Sequence, residues 1–173
     1  MEKKIDPAQE IGESLTITDR SQLLSKTPEQ KKKIKSLRIK NQVIDDEVDA
    51  SVGMVCTYLK QVYFVNCSFS GAGEWILCEF PSASKIGFIR CNLSCNTLEG
   101  LLRSNNPYNK IEVLDLTGNN LAKDPERFVD FLKRAILPFK SIGNLILLEN
   151  GFDSTIISEI KGVSGPKIGK ICV

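Results

Sequence analysis

No histidine occurs anywhere in the 173 residues of this chain. Its absence excludes Ser-His-Asp and Cys-His nucleophilic catalysis, the usual general base near neutral pH and the commonest zinc ligand. No carboxylate pair and no Gly-rich phosphate loop stands out in their place, so no catalytic, cofactor-binding or metal-binding residue is assigned. Long apolar runs are also missing. A bilayer span needs about 20 consecutive apolar residues, and no segment comes close, so no membrane partner is expected. Charge of one sign is not in excess: 23 Lys and Arg against 21 Asp and Glu leave a formal net charge of +2, too little to recruit nucleic acid or anionic lipid by the field of the whole chain. Met1 to Glu10 is charged and lacks the apolar stretch of a secretory signal. The six cysteines therefore read as reduced thiols in a cytoplasmic protein, not as a disulfide framework. Cys91 and Cys95 form a C-x-x-x-C spacing, which reads as two structural thiols.

What the chain does have is enough apolar content for a core, 42% of residues against 25% charged, the balance of one folded domain. It also has a repeat. One frame recurs: an apolar residue, two others, an apolar, one other, an apolar, two others, Asn or Cys, one other, an apolar. The clearest copies are Ile111, Leu114, Leu116, Asn119, Leu121 and Ile142, Leu145, Leu147, Asn150, Phe152. Upstream lie Ala83, Ile86, Phe88, Cys91, Leu93 and Leu59, Val62, Phe64, Cys67, Phe69. Ile34, Leu37, Ile39, Gln42, Ile44 make a looser first copy. The fourth-position residues Leu37, Val62, Ile86, Leu114 and Leu145 are spaced by 25, 24, 28 and 31 residues.

The alternation in Leu114-Asp115-Leu116 is that of a strand with one face in and one face out. No single copy can bury its apolar residues, so stacking must build the core. The ninth position falls where the chain turns away from the strand, and a buried side chain there must satisfy backbone groups that no ladder reaches. Asn119 and Asn150 suit that role, and Cys67 and Cys91 occupy it as small, weakly polar residues.

These five copies, over about Ile34 to Phe152, resemble leucine-rich-repeat proteins, and the long spacings are similar to the ribonuclease-inhibitor-like and cysteine-containing subtypes. The resemblance implies an α/β solenoid, a right-handed horseshoe segment with parallel strands on the concave face and helices on the convex face. The linkers read as helices. Asp124-Pro125-Glu126 is an N-cap, an N1 proline and a first-turn acid, followed by Phe128, Phe131, Leu132, Ala135 and Ile136 on one face and a stop at Pro138. Asp153 starts another helix, with Ile156, Ile157 and Ile160 inward and Gly162 as its expected C-terminal cap. Glu47–Tyr58, Glu74–Phe80 and Thr97–Arg103 fit the same role. Residues 1–14 read as a flexible tail and 15–173 as one domain. Within it, 15–33 is an N-terminal cap with a strand at Leu15–Ile17 and a capping box at Thr27–Gln30. Five repeats follow over 34–165, and a closing strand spans 168–173, with Ile168, Ile171 and Val173 inward.

In this frame the third, fifth and seventh positions face outward on the concave side. The fifth reads Arg38, Tyr63, Gly87, Asp115, Ile146; the seventh reads Lys40, Val65, Ile89, Thr117, Leu148. Lys35, Arg38, Lys40, Lys60, Lys85 and Arg90 make the front half basic; Asp115 and Glu149 make the back half acidic. Tyr63, Val65 and Ile89 form an apolar cluster between them, and side-chain-free Gly87 leaves a dent there. Leucine-rich repeats generally bind proteins through this face. The resemblance therefore implies a monomeric, non-catalytic interaction module whose partner-binding residues are Arg38, Lys40, Tyr63, Val65, Lys85, Gly87, Ile89, Asp115, Ile146 and Leu148. Alternatives from other classes are a substrate-recognition or assembly subunit of an enzyme complex and a bacterial effector delivered into host cells. Nucleic acid is not the expected partner. The run Lys31-Lys32-Lys33-Ile34-Lys35 has only Tyr63 on the same face as a stacking platform, and it reads as a solvated capping helix.

If all six thiols are free, alkylation of the denatured, unreduced protein adds one group per cysteine by mass spectrometry. A missing group reveals a bridge, and a reducing agent would then lower the melting temperature, since a stabilising disulfide contributes about 2–5 kcal/mol.

Overall fold

The structure is a computed structural model that describes residues 12–19, 21–44, 56–69, 82–102, 110–135, 141–163 and 167–173. Among the described residues nine strands occur, in the order β1 Glu13–Ile17, β2 Ile34–Lys40, β3 Val43–Ile44, β4 Gln61–Val65, β5 Ser68–Phe69, β6 Lys85–Ile89, β7 Lys110–Asp115, β8 Ser141–Ile146 and β9 Ile168–Cys172. Seven of them form one open sheet ordered β1-β2-β4-β6-β7-β8-β9, and β3 pairs with β5 alone. Every pairing is parallel. A parallel pair needs a crossover connection, and the helices Cys95–Leu102, Pro125–Ala135 and Ser154–Val163 supply those after β6, β7 and β8. The fold is α/β with a mostly parallel sheet.

The register follows the repeat frame residue by residue. Leu15, Leu37, Val62, Ile86, Leu114, Leu145 and Ile171 stand side by side across all seven strands. That row and the apolar residues at the first and sixth positions face one buried layer, where Leu37, Leu59, Val62, Phe88, Leu116 and Leu145 have no exposed surface. Stacked Phe64 and Phe88, with ring centroids 5.3 Å apart, receive the edge of Phe69. The helices cover this side with Leu98, Phe128, Val129, Phe131, Leu132, Ile156 and Ile160. The other side of the sheet carries the third, fifth and seventh positions, most of them half-buried or exposed.

Local signals act where expected. Thr27 Oγ1 accepts from Gln30 N at 3.3 Å and Gln30 Oε1 from Thr27 N at 2.9 Å, a complete capping box. Asp124 Oδ1 caps Arg127 N and Asp153 Oδ1 caps Ile156 N. Four boundaries differ from expectation. The first strand begins at Glu13, so Glu13 and Ser14 belong to β1 and not to a tail. The third linker helix starts at Cys95, because Ser94 Oγ accepts from Thr97 N at 3.2 Å and caps it. Gly162 lies inside the last turn of a helix that continues to Val163. Val173 lies beyond β9 and is 36% exposed. Of the expected Glu47–Tyr58 helix, a short 3-10 turn at Cys56–Tyr58 is present. Residues 1–11, 45–55, the Glu74–Phe80 helix with Cys78, and Ile136 to Pro138 lie outside the described residues.

The ninth position holds the stack together through its backbone. Asn119 is 1% exposed. Its Nδ2 donates to the carbonyls of Phe88 (2.6 Å), Leu116 (2.8 Å) and Thr117 (3.3 Å), and its Oδ1 accepts from Cys91 N (3.0 Å) and Leu93 N (3.2 Å). One repeat on, Asn150 makes the same five contacts, to Leu116, Leu147, Leu148, Asn119 N and Leu121 N. Cys91 Sγ donates to Phe64 and Ile89 carbonyls, both at 3.4 Å, and Cys67 Sγ reaches Ile39 (3.5 Å) and Val65 (3.6 Å). A thiol thus takes over the donor half of the amide, toward the carbonyls. Gln42, one carbon longer, sends its Nε2 to Thr18, Lys40 and Asn41 carbonyls. Burial raises the Cys67 thiol and pushes that of Cys91 to about 12, so both are held as neutral donors.

The eighth position turns the chain. Asn41, Asn66, Arg90, Gly118 and Glu149 all have φ between 52° and 71°, the left-handed region that costs a side-chain-bearing residue about 1–2 kcal/mol. The last three repeats repeat this at the tenth position, at Asn92, Asn120 and Gly151. The first two place Val43 and Ser68 there instead, and these pair as β3 and β5. The stack therefore contains two kinds of turn.

Because Asn119 serves two amides and three carbonyls and Cys67 serves two carbonyls, Asn119→Ala is expected to cost more than Cys67→Ala. About 1–3 kcal/mol is anticipated for Asn119→Ala from its unpaired buried groups. Urea denaturation of the two variants checks it. Equal, near-zero losses would show that the slot is not structural.

Candidate functional site

The uncovered side of the sheet brings the expected residues together. In the fifth row Arg38, Tyr63, Gly87, Asp115 and Ile146 are direct cross-strand neighbours, flanked by Thr16 and Cys172. In the seventh, Lys40, Val65 and Ile89 are neighbours, and Lys85 of the third row stands between Gln61 and Val113. Adjacent strands lie about 4.8 Å apart, so each row is a continuous line of side chains.

The geometry rewrites the middle of that face. A Cβ built on Gly87 would lie 2.4 Å from Tyr63 Cδ1 and 3.5 Å from Asp115 Cβ. The Tyr63 ring therefore lies across Gly87, and the expected dent is already filled from within the protein. The glycine relieves crowding; it does not open a recess. The Arg38 guanidinium carbon lies over the Tyr63 ring, 5.2 Å from its centroid. The phenol ionises above its ordinary value, chiefly because burial disfavours the charged form, with Asp115 adding to the rise and Arg38 opposing it.

Charges on and around the face are less segregated than the order of residues suggests. Arg90, placed with the basic half, reaches past Gly118 to Glu149 with Nη2 at 2.8 Å and Nε at 3.2 Å. The path is open because Gly118 has no Cβ; one built there would lie 2.7 Å from Arg90 Cγ. Both partners are well exposed, so the pair adds little stability by itself. Lys85 pairs with Glu112 at 3.8 Å, and Lys35 sits 5.6 Å from the Tyr58 ring centroid. Asp115 Oδ1 is engaged internally, accepting from Thr117 N (3.0 Å) and Thr117 Oγ1 (2.6 Å). Arg38 and Lys40 remain without a carboxylate partner among the described residues. Val65, Ile89 and Ile146 are half-buried and Leu148 is 44% exposed. The basic run contributes less surface than its length suggests, since Lys31 is buried and the neighbouring Ile34 belongs to the core.

Sequence reasoning missed the long-range pairs, since nothing local marks Arg90 and Glu149 as partners 59 residues apart. It also missed a cavity of about 330 Å³ beside the turns that follow β6 and β7, lined by Asn92, Asn96, Asn120, Lys123, Asp124 and Arg127 among others. There Arg127 donates to Asn96 Oδ1 and Asp124 Oδ1 caps the next helix, so these three side chains are engaged in structural contacts. Among the described residues no group of His, Cys, Asp and Glu is placed to hold a metal ion, and no helix is long and apolar enough to cross a membrane. Cys67, Cys91 and Cys172 are free thiols. Comparison with protein-family models, with curated proteins and with solved structures returns no match.

Gly87→Ala is expected to destabilise by about 1–3 kcal/mol through overpacking against the ring. In a Tyr63→Ala background the same substitution should become neutral or stabilise by about 0.4–1 kcal/mol, because alanine restricts the unfolded chain more than glycine does. A double-mutant cycle of melting curves measures the coupling. No coupling would mean that the ring does not lie on Gly87.

Proposed function

We propose that this chain is a leucine-rich-repeat-type solenoid acting in the cytoplasm as a non-catalytic module that binds a partner protein through the uncovered, concave side of its sheet. The single observation that carries this reading is the state of that side. Seven parallel strands keep one face packed under helices, while the opposite face leaves Tyr63, Val65, Ile89, Ile146 and Leu148 only half-covered or exposed. Apolar side chains standing next to one another on an open face suit a protein interface. The solenoid reading is supported by the frame that places equivalent residues in register from β1 to β9, and by the Asn and Cys ladder repeated at the ninth position. Non-catalytic action is supported by the lack of histidine in the sequence and by the engagement of Asp115 and Glu149 in internal contacts.

Site-specific photo-cross-linking tests the reading. A photo-reactive residue at Val65, Ile89 or Leu148 should cross-link one common partner in cell extract. The same probe at Asp130, exposed on the helix side, should not, and Leu148→Asp should diminish the product from Ile89. Cross-linking confined to the helix side would sink the proposal.

A further inference from the structure

Arg38 and Lys40, side by side on one strand of the uncovered face, have no carboxylate partner among the described residues. Resting on the reading of that face as a protein-binding surface, we infer that the partner contributes an acidic segment with an adjoining apolar residue. Its carboxylates sit on Arg38 and Lys40 and its apolar side chain on Val65 and Ile89.

The contrast among the basic residues leads to this. Lys85 and Arg90 have carboxylate partners, whereas Arg38 and Lys40 have none among the described residues. Arg38 and Lys40 are two residues apart on β2, hence on the same side and about 6.6 Å apart along the strand. Around them the same side of β1, β2 and β4 carries Ser14, Thr16, Ser36, Gln61, Tyr63 and Val65, none of them acidic. The nearest carboxylate of the fifth row, Asp115, is three strands from Arg38, about 14 Å at the spacing of a sheet. That exceeds the screening length of roughly 8 Å at physiological salt, and its Oδ1 is already held by Thr117. The positive end of the face is therefore not cancelled by the negative one.

Arg38 also has an aromatic neighbour: its guanidinium carbon lies over the Tyr63 ring, 5.2 Å from the centroid. A guanidinium takes a carboxylate through two parallel N–H hydrogen bonds, and no carboxylate of the described residues does so here. Tyr63 is in turn held by Gly87, which gives the ring the space it occupies. Lys40 stands in the next row beside Val65, and Val65 beside Ile89. A segment crossing the strands there meets a positive edge and then an apolar strip. Acidic and apolar side chains in succession complement that order, and a basic or uniformly polar segment does not.

The test uses a phage-displayed library of random linear peptides selected on the intact chain, with individual binders measured by fluorescence anisotropy. Selected peptides should be enriched in Asp and Glu next to Leu, Ile, Val or Phe. Their affinity should fall about tenfold or more in Arg38→Glu and in Lys40→Glu, the size expected for losing a charge-assisted hydrogen bond, and should fall again as salt is raised. Circular dichroism confirms that both variants, altered at uncovered positions, keep the fold. Peptides that depend on Val65 and Leu148 but carry no acidic enrichment would overturn this inference and leave the binding face intact. Acidic peptides that bind both charge variants as well as the original protein would overturn it too, as would a selection without binders. Binders indifferent to every substitution on this face would remove the face itself as the binding surface. Competition by a single-stranded oligonucleotide without any peptide preference would assign the two cations to nucleic acid.

Discussion

A strand that leaves a parallel sheet by turning away leaves its last carbonyls and the neighbouring amides without ladder partners, and in a stack of such strands those groups are buried. Backbone groups stranded in this way cost about as much as a lost hydrogen bond each, so the fold depends on a side chain that reaches them. Asn119 and Asn150 do so with both ends of the amide, linking each turn to the one before it. Where cysteine takes the place, the carbonyls are served by the thiol, and the amides of Cys91 and Leu93 are served by the asparagine of the following repeat. The ladder is therefore directional: each repeat completes the hydrogen bonding of its predecessor.

That same turn sets the shape of everything next to it. Five consecutive repeats take a left-handed residue at the eighth position, including Arg90 and Glu149, for which the conformation is costly. The strain is tolerated because the flanking strand and the buried ninth residue determine the path of the chain. One consequence is the Arg90–Glu149 pair, whose two residues hold equivalent positions on either side of Gly118. A charge that reads as part of a basic patch is thereby turned into an internal link across three repeats.

The uncovered face inherits its character from these constraints. Inward residues are spent on the core, and those at the ninth position on the backbone, so the third, fifth and seventh positions form the open surface. There the protein places an arginine on a tyrosine and the tyrosine on a glycine, three strands in a row. The result is a surface whose positive edge has no carboxylate partner among the described residues.

Much of this was legible in the order of residues, for a physical reason. The spacing of apolar side chains reports which faces must leave water, and the strand register from Leu15 to Ile171 follows it without a slip. Caps at Thr27, Asp124 and Asp153 are local chemistry and were equally readable. The start of the helix at Cys95 and its cap Ser94, the inclusion of Gly162 in the last turn, and the split between two kinds of turn were less so. Each of these depends on competition between neighbouring hydrogen-bond partners, not on periodicity. The site divides in the same way. Residue order alone decides that Arg38, Tyr63, Gly87 and Asp115 share one row, since a period of two admits no other arrangement once the core face is known. Whether Gly87 is a hollow or a support, and which cations find a carboxylate, was decided only when side chains from different repeats came within contact distance. Those contacts join residues 24 to 59 positions apart, and no local pattern encodes a distance across space.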